Sequence, residues 1–258
     1  MAEAHQVVSI ENLREDPYRT LLAYPDPVGD AVESRIRQLR ELGITGLNFQ
    51  GRLRIGKLSV LGKGVVGLVF SGIAERTRVA VKIRRVDSRR NSMNHEADMV
   101  KAANKAGIGP RFLGVSKDVL AMEYVEGKPL PLWISTLEGR GTRTRIRSTF
   151  KKLFDQCVRL DAYGIDHGEL SRAHKNVLVG LDDQPWILDF ESASMMRRVN
   201  NFTSIAQYLF LSNRFGRRAI RILGPVDTQE LVKYLRLYKS GKTNDAYESV
   251  LDLLKFPS

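Results

Sequence analysis

The sequence predicts an α+β fold with an N-terminal extension, a small β-rich lobe with one key helix, and a mainly helical lobe. Residues 57–83 are rich in β-branched side chains and are punctuated by glycine, a pattern typical of strands joined by turns. Beyond residue 127, apolar residues recur at steps of four and three, as in Ile146, Phe150, Leu153, Cys157 and Leu160. This spacing predicts a long buried helix. We place the three parts at 1–50, 51–126 and 127–258.

The composition is that of a folded protein kept in a reducing compartment. Apolar residues make up 43% of the 258 residues, and no apolar run approaches the roughly 18 residues that a membrane helix requires. Residues 1–5 lack the charged start and apolar run of a secretory signal. Cys157 is the single cysteine, which excludes an internal disulfide and a cysteine zinc site. We therefore expect a cytoplasmic protein with no membrane partner.

The positive charge of the chain is concentrated in two segments. The formal net charge is +12. Residues 140–152 hold six cations and no acid, and residues 197–221 hold six arginines and no acid. Such clusters bind RNA or a ribonucleoprotein in many proteins, although solvated helix faces have the same composition. Both interpretations stay open at this stage.

The extension is expected to contain one helix followed by a hairpin. Asp30, with Glu33 three residues later, has the spacing of a capping box and predicts a helix over 30–42 that ends at Gly43. The apolar runs 47–49 and 53–55 flank Gln50 and Gly51, which suggests a hairpin. The extension is either a reduced winged helix or a brace packed on the following lobe.

A glycine-rich segment predicts a flap over phosphate groups. Its glycines have the G-x-G-x-x-G spacing, which binds dinucleotides only where a helix follows directly. Residues 68–70 read instead as a strand, so we expect a β-hairpin whose backbone N–H groups approach phosphates. The residues expected to contact a nucleotide here are Gly62, Lys63, Gly64, Val65, Gly67, Val69 and Ala80.

A lysine and a glutamate follow the flap at a separation that suits phosphate binding. Lys82 closes the strand-like run 79–82, and Glu96 lies on a helix predicted over 94–106. Phosphoryl transfer depends on positioning and on neutralising phosphate charge. A strand lysine that holds phosphates, itself held by a helix carboxylate, provides both. Asp98 and Glu126 are rival partners for Lys82.

The motifs after the long helix resemble those of the protein-kinase-like superfamily. They comprise Asp166-His167-Gly168-Glu169-Leu170-Ser171, then Asn176, a predicted hairpin over 177–188, and Asp189-Phe190-Glu191. Their order is similar to a kinase catalytic loop followed by a metal-binding segment. The His-Gly-acid-Leu-Ser form is most similar to atypical microbial, archaeal-type kinases such as the RIO group and the small KEOPS-complex kinase. The resemblance covers roughly 56–215.

The resemblance implies ATP and Mg²⁺ as cofactors and gives roles to several residues. Glu169 stands where the catalytic Asp would lie, and would orient or deprotonate an acceptor hydroxyl. Asn176 and Asp189 would bind Mg²⁺, and His167 would brace the loop. Asp166 is a rival for the base. The segment Met122, Glu123 and Tyr124 would be the hinge that offers backbone groups to adenine.

Three departures from the family pattern bear on function. The family has Asp with Asn five residues later, whereas Glu169 precedes Asn176 by seven. Glu191 replaces the glycine after Asp-Phe, which stiffens the segment. Residues 192–202 leave no room for a long activation loop, and no Ala-Pro-Glu motif follows.

The sequence therefore predicts an atypical kinase that transfers the γ-phosphate of Mg-ATP to Ser or Thr hydroxyls of a protein substrate. This interpretation requires Lys82 and Asp189 to converge on one nucleotide. A small-molecule phosphotransferase of the same fold is a second interpretation, favoured by the short activation segment. A nucleotide-binding pseudokinase or scaffold on a ribonucleoprotein is a third.

Overall fold

The computed structural model describes residues 7–211 and 216–257. The apolar residues between Ser204 and Phe215 also predict a buried helix. The end of that helix, residues 1–5 and Arg214 lie outside the described residues. The chain divides into two compact units. The first holds residues up to 101 and then 110–124, and the second holds 102–109 and the chain from 125 onward. An antiparallel sheet in the N-terminal part and helices in the C-terminal part confirm the predicted α+β class.

Among the described residues of the first unit, seven strands form one antiparallel sheet in the order β1-β2-β6-β7-β9-β8, with β5 paired to β6. These strands are β1 Val7–Ser9, β2 Ile44–Asn48, β5 Gly62–Lys63, β6 Gly67–Ala74, β7 Thr77–Arg84, β8 Phe112–Val115 and β9 Val119–Glu123. A separate hairpin consists of β3 Leu53–Ile55 and β4 Leu58–Val60. The helices are α1 Tyr18–Leu22, α2 Ala31–Glu41 and α3 Asn94–Lys105, whose last residues count with the second unit.

The extension shares its core with the β-rich region. Leu13, Ile36 and Leu39 are fully buried in one cluster with Phe70 and Val81 of the sheet. Strand β2 pairs with β6, so the extension also contributes backbone hydrogen bonds to the sheet. Apolar side chains from both segments are thereby removed from water together, which makes them one folding unit.

Two local expectations for the extension are wrong. The hairpin expected around Gln50 does not form, because β2 pairs with β1 and β6 while β3 turns back on β4. The capping box is also absent. The Asp30 side chain makes no cap bond, and the Glu33 carboxylate instead binds the Arg14 guanidinium at 2.7 and 2.9 Å. Helix α2 therefore starts through backbone bonds and tertiary packing rather than through a local cap.

The second unit is mainly helical. Its helices are α4 Leu130–Ser135, α5 Thr142–Ala162, α6 Ala173–Asn176, α7 Asn201–Ala206, α8 Gly216–Leu223, α9 Thr228–Gly241 and α10 Asn244–Leu254. A small sheet joins β10 Gly127–Pro129, β11 Val177–Gly180 and β12 Pro185–Ile187. The predicted stripe of α5 is fully buried, and burial raises the pKa of the Cys157 thiol well above its usual value. Within the described residues, every helix is too short or too polar to cross a membrane.

One helix starts earlier and changes pitch, contrary to the sequence prediction. The segment expected to begin at Ser204 forms α7 from Asn201, and residues 207–211 then wind into a π-helical turn. Two other helices begin at side-chain caps. The Asp227 carboxylate accepts the N–H groups of Gln229 and Glu230 at the start of α9, and the Thr243 hydroxyl accepts that of Ala246 at the start of α10.

A buried arginine joins the extension to the strand that carries Lys82. Arg35, on α2, is 1% exposed, and its guanidinium donates to the carbonyl oxygens of Leu22 at 2.7 Å and Arg84 at 2.5 Å. Loss of water around the guanidinium lowers its pKa to about 10, so it stays charged at neutral pH. The end of β7 is therefore fixed by a residue from the extension.

We expect Arg35→Ala to lower the free energy of unfolding by about 3 kcal/mol, because it leaves two buried carbonyl groups without their donor and opens a cavity. The matched control is Arg37→Ala, which removes an exposed arginine from the same helix and should change stability by less than about 0.5 kcal/mol. Urea denaturation of both variants measures this difference. Equal stability of the two variants would contradict the structural role of Arg35.

Candidate active site

The glycine-rich segment folds as the predicted flap. Strands β5 and β6 form a hairpin, and the N–H of Gly64 donates to the carbonyl oxygen of Gly67 at 2.8 Å. The residues that follow the glycines are strand β6, which confirms the hairpin and excludes the dinucleotide-binding arrangement. A Cβ atom on Gly67 would lie 2.8 Å from the carbonyl oxygen of Ile83 and 3.1 Å from Cγ of Lys82. Glycine at 67 therefore lets the flap strand approach the lysine strand closely.

The predicted lysine–glutamate pair is formed inside the first unit. Nζ of Lys82, on β7, lies 2.9 Å from Oε1 and 2.8 Å from Oε2 of Glu96, in the first turn of α3. Their side chains are 3% and 4% exposed. The rivals named from the sequence differ: Asp98 pairs with Lys101 at 3.6 Å, and Glu126 is exposed. The pair holds a positive charge at a fixed point beside the flap strand.

A polar network sets the position of α3 relative to the sheet. The N–H of Met93, just before α3, donates to the carbonyl oxygen of Lys117 at 2.9 Å. The next residue, Asp118, binds the Arg84 guanidinium at 2.5 Å. The Gln38 side chain from α2 accepts from the Asp118 N–H at 2.6 Å and donates to its carboxylate at 3.2 Å. The start of α3 and the end of β7 are thus tied to the same turn.

The other residues expected to contact a nucleotide lie on the strands of this sheet or directly beside their ends. Ala80 and Met122 are cross-strand neighbours on β7 and β9. The Arg78 guanidinium stacks over the Tyr124 ring, with its central carbon 3.8 Å from the ring centroid. Val65, at the tip of the flap, is 78% exposed. The ammonium of Lys63 donates to the hydroxyl of Tyr24 at 2.6 Å.

Gly62 and Glu123, also expected to contact the nucleotide, lie in strands β5 and β9. Gly62 pairs with Val69 across the flap hairpin. Glu123 ends β9, where its N–H donates to the carbonyl oxygen of Arg111 at 2.8 Å and its carboxylate accepts from the Arg111 N–H at 3.1 Å. Both the backbone and the side chain of Glu123 are therefore hydrogen-bonded to Arg111 within the predicted hinge segment.

In the second unit, His167 braces the loop that carries Glu169. The ring is fully buried, its Nε2 lies 2.9 Å from the carbonyl oxygen of Leu188, and its Nδ1 accepts the Glu169 N–H at 3.4 Å. These partners require the proton on Nε2. Burial lowers the pKa of His167, so the ring is neutral at physiological pH. Both ring nitrogens are engaged in holding the loop.

Asn201 anchors the same loop, and the sequence analysis did not single it out. Its Oδ1 accepts the His167 N–H at 2.9 Å, and its Nδ2 donates to the Ile165 carbonyl oxygen at 2.6 Å and to the Asp161 carboxylate at 2.8 Å. Asp161 also accepts the hydroxyl of Tyr238 at 3.1 Å, and burial raises the pKa of Asp161. The feature of the sequence that could have indicated this role is the position of Asn201, a polar amide at the start of an otherwise apolar helix.

Gly168 and Arg197 shape the other side of the loop. Gly168 has φ +84°, and a Cβ atom there would lie 2.9 Å from the carbonyl oxygen of Ser192. Arg197 donates through Nε to the Asp166 carboxylate at 2.8 Å and through Nη2 to the same Ser192 carbonyl oxygen at 2.5 Å. Asp166, the rival for the base, is thus held in an ion pair with Arg197.

The two additional loop residues are absorbed by helical turns, and Asn176 stays close to Glu169. Residues 170–172 form a 3₁₀ turn that leads into α6. Nδ2 of Asn176 lies 3.5 Å from both the carbonyl oxygen and Oε2 of Glu169. The other carboxylate oxygen of Glu169 accepts the hydroxyl of Ser192 at 2.8 Å. The longer loop therefore does not separate these two side chains.

The Asp-Phe-Glu segment brings two carboxylates together. Asp189 has φ 65° and ψ 72°, a left-handed conformation that is uncommon for residues other than glycine. Carboxylate oxygens of Asp189 and Glu191 lie within 4.8 Å of each other, and Glu191 is buried. From the sequence alone, Glu191 is expected only to stiffen the segment. Oxygen donors of Asn176, Asp189 and Glu191 match the ligand preference of Mg²⁺.

Phe190, between these carboxylates, packs beneath the loop. Its ring centroid lies 5.0 Å from that of His167, and a Cβ atom on Gly109 would lie 2.9 Å from the ring. Phe190 is 1% exposed. The metal-binding segment expected from the sequence and the Glu169 loop therefore share one apolar support.

Both basic clusters are partly neutralised or engaged. In residues 140–152, Arg145 binds Asp183 at 2.6 Å and Lys151 binds Asp155 at 3.0 Å. In residues 197–221, Arg198 and Arg218 donate to carbonyl oxygens of Lys239 and Ser135. These four cations have partners within the described residues, and RNA binding stays a prediction.

Comparison with known proteins identifies the family. A family model described as the RIO domain matches residues 70–209, which is more than half of the chain. The chain belongs to the RIO domain family. This is an atypical, protein-kinase-like family, and the match confirms the resemblance to the RIO group. The RIO match includes Lys82, Glu96, Glu169, Asn176 and Asp189, whereas the flap glycines and the extension lie outside it. No curated protein gives a significant match to the chain.

We expect the Lys82–Glu96 pair to cost more stability when one member is removed than when both are. Lys82→Met leaves a buried carboxylate without its lysine and should lower the free energy of unfolding by about 3–5 kcal/mol. The double variant Lys82→Met/Glu96→Leu removes both charges at similar volume and should recover most of that loss. Urea denaturation of the wild type and both variants measures this. A double variant no more stable than Lys82→Met would contradict the coupling.

Proposed function

We propose that this RIO-family protein is an atypical protein kinase that transfers the γ-phosphate of Mg-ATP to Ser or Thr hydroxyls of a protein. The observation that carries the proposal is the buried Lys82–Glu96 pair beside a glycine flap in a chain of a kinase-like family. A lysine buried with a carboxylate at 2.8 Å is costly to maintain for stability alone. A requirement for a fixed cation at the phosphates explains its presence.

The residues of the first unit would bind and orient the nucleotide. Lys82 would donate to phosphate oxygens, while Glu96 would keep the ammonium charged and in place. Backbone N–H groups of the flap, between Gly62 and Gly67, would approach the phosphates without side-chain clashes. Backbone groups of Met122, Glu123 and Tyr124 would receive the adenine.

Glu169 would accept the proton of the acceptor hydroxyl. Its carboxylate already accepts a hydrogen bond from the hydroxyl of Ser192 at 2.8 Å, which is the geometry required of a general base toward an alcohol. The neutral His167 would not exchange protons with the acceptor, because both of its ring nitrogens hold the loop. Its role would be to fix the backbone position of Glu169.

Asn176 and Asp189 would hold Mg²⁺, with Glu191 as an additional carboxylate beside Asp189. When bound, the ion would neutralise charge on the phosphate oxygens. Asp189 has a left-handed backbone conformation, and a strained residue of this kind is typical of functional sites. Phe190 would keep this segment in register with the Glu169 loop.

A small-molecule phosphotransferase is the second candidate function. The eleven residues from 192 to 202 provide little platform for a peptide, and Glu191 is found in place of glycine. The two candidates differ only in the acceptor. Transfer to a protein extract, compared with transfer to a panel of metabolite alcohols, separates them.

We expect Asp189→Ala and Glu169→Gln to reduce the rate of phosphate transfer from γ-labelled ATP by at least about 100-fold, because each removes a group that acts on the reacting atoms. Chelation of Mg²⁺ should have the same effect on the wild type. The measurement is label incorporation into protein and metabolite acceptors.

The matched control is Asp182→Asn, which changes an exposed acid in the turn between β11 and β12 of the same unit. It should transfer phosphate at the wild-type rate. Folding of each variant is checked by its thermal unfolding. A folded Asp189→Ala protein with the full rate of transfer would contradict the assignment.

A further inference from the structure

We propose that Ser192 of this chain is itself a phosphate acceptor of the Glu169 site, so that the protein phosphorylates its own Ser192 within the same molecule. This inference rests on the proposed function, because it requires ATP as the phosphate donor. It adds a modification site that the family match does not assign. The site is built entirely from described residues of the second unit.

The hydroxyl of Ser192 occupies the position of an acceptor alcohol. It donates to Oε1 of Glu169 at 2.8 Å, while Asn176 lies 3.5 Å from Oε2 of the same carboxylate. Ser192 is half-buried, three residues after Asp189 in the chain. A hydroxyl that is already hydrogen-bonded to the base is oriented in the folded protein, whereas a separate substrate loses rotational and translational entropy when it binds.

Two neighbouring hydroxyls, those of Ser194 and Thr203, have other partners. The Ser194 hydroxyl accepts the Met196 N–H at 3.1 Å, and the Thr203 hydroxyl donates to the Asn200 carbonyl oxygen at 3.1 Å. Ser171 is exposed on the 3₁₀ turn after Glu169. The structure therefore ranks Ser192 above these hydroxyls as an acceptor.

The transfer step balances with ATP as the co-reactant. Oγ of Ser192 attacks the γ-phosphorus, and the bond from that phosphorus to the β,γ-bridging oxygen breaks. ADP leaves with the electron pair of that bond, and the Ser192 hydroxyl proton passes to the Glu169 carboxylate. The product is a phosphoserine with a charge of about −1.5 to −2 at neutral pH.

A cation stands beside the product. Nη2 of Arg197 donates to the Ser192 carbonyl oxygen at 2.5 Å, and the Arg197 side chain is 50% exposed. We expect this guanidinium, which binds the backbone of Ser192, to turn toward a phosphate on the same residue and to offer it charge-assisted hydrogen bonds. Glu169, in contrast, would face a second negative group, so Arg197 is the partner that accommodates the phosphate.

The test is incubation of the full chain with Mg-ATP, followed by intact mass and phosphopeptide mapping. The wild type should gain one phosphoryl group per chain at Ser192, at a rate independent of protein concentration. Ser192→Ala should gain none at 192, and Asp189→Ala should gain none anywhere. Ser194→Ala is the matched control and should be modified at Ser192 as the wild type is. Ser192→Thr keeps a hydroxyl and should yield phosphothreonine at 192.

A mixing arm tests whether the reaction is intramolecular. Wild-type protein is incubated with tagged Asp189→Ala protein, and the tagged chain should stay unmodified at Ser192. Modification of the tagged chain at the rate of the wild type would overturn the proposal that transfer occurs within one molecule.

Two further outcomes would overturn the proposal, and they differ in what they say of the proposed function. An unmodified Ser192 in wild type that still phosphorylates other residues, a protein extract or metabolites overturns this inference alone. An absence of transfer to Ser192 and to every one of those acceptors overturns both the inference and the kinase function.

Discussion

The burial of one ammonium group constrains the whole first unit. Lys82 is 3% exposed, and a charge at that depth costs several kcal/mol unless a counter-charge meets it with good geometry. Glu96 meets this requirement only if the start of α3 lies at a fixed position beside β7. The Met93 bond to Lys117 and the ion pair of Arg84 with Asp118 fix that position. The N-terminal extension completes the frame through Arg35 and Gln38.

In the second unit, neutral side chains hold much of the loop that carries Glu169. A loop that carries Glu169 and Asn176 must be rigid, yet it has few backbone partners of regular secondary structure. Asn201 and the neutral ring of His167 provide those partners from inside the core. Because the His167 ring is uncharged at physiological pH, it holds the backbone of Glu169 without adding a positive charge. The ion pair of Arg197 with Asp166 holds the other side of the same loop.

The sequence predicted features that depend on periodicity and on local chemistry. The flap and the α5 stripe follow from spacing, since strand and helix periods determine which side chains share a face. The Lys82–Glu96 pair follows from the order of flap, strand and helix together with the need for a counter-charge, and the structure decides it against Asp98 and Glu126. The predicted capping box at Asp30 does not form, because the Glu33 carboxylate binds the Arg14 guanidinium instead of the backbone at the start of the helix. Arg14 is distant from Glu33 in sequence. The hairpin at Gln50 failed because β2 gains more pairing from β1 and β6 than from a local turn. Asn201 and the Ser192 bond to Glu169 also depend on contacts between distant segments, which one sequence does not reveal.

The central claim is that Lys82 is held in place to bind nucleotide phosphates, and nucleotide-dependent stability tests it most directly. The unfolding midpoint is measured with Mg-ATP and with adenosine, for the wild type and for the folded variant Lys82→Met/Glu96→Leu. Ligand binding stabilises a protein in proportion to the logarithm of ligand concentration over Kd, so the difference between the two ligands reports the phosphate contribution. We expect a larger shift with Mg-ATP than with adenosine in the wild type and equal shifts in the variant. An undiminished phosphate-dependent shift in the variant would contradict the account.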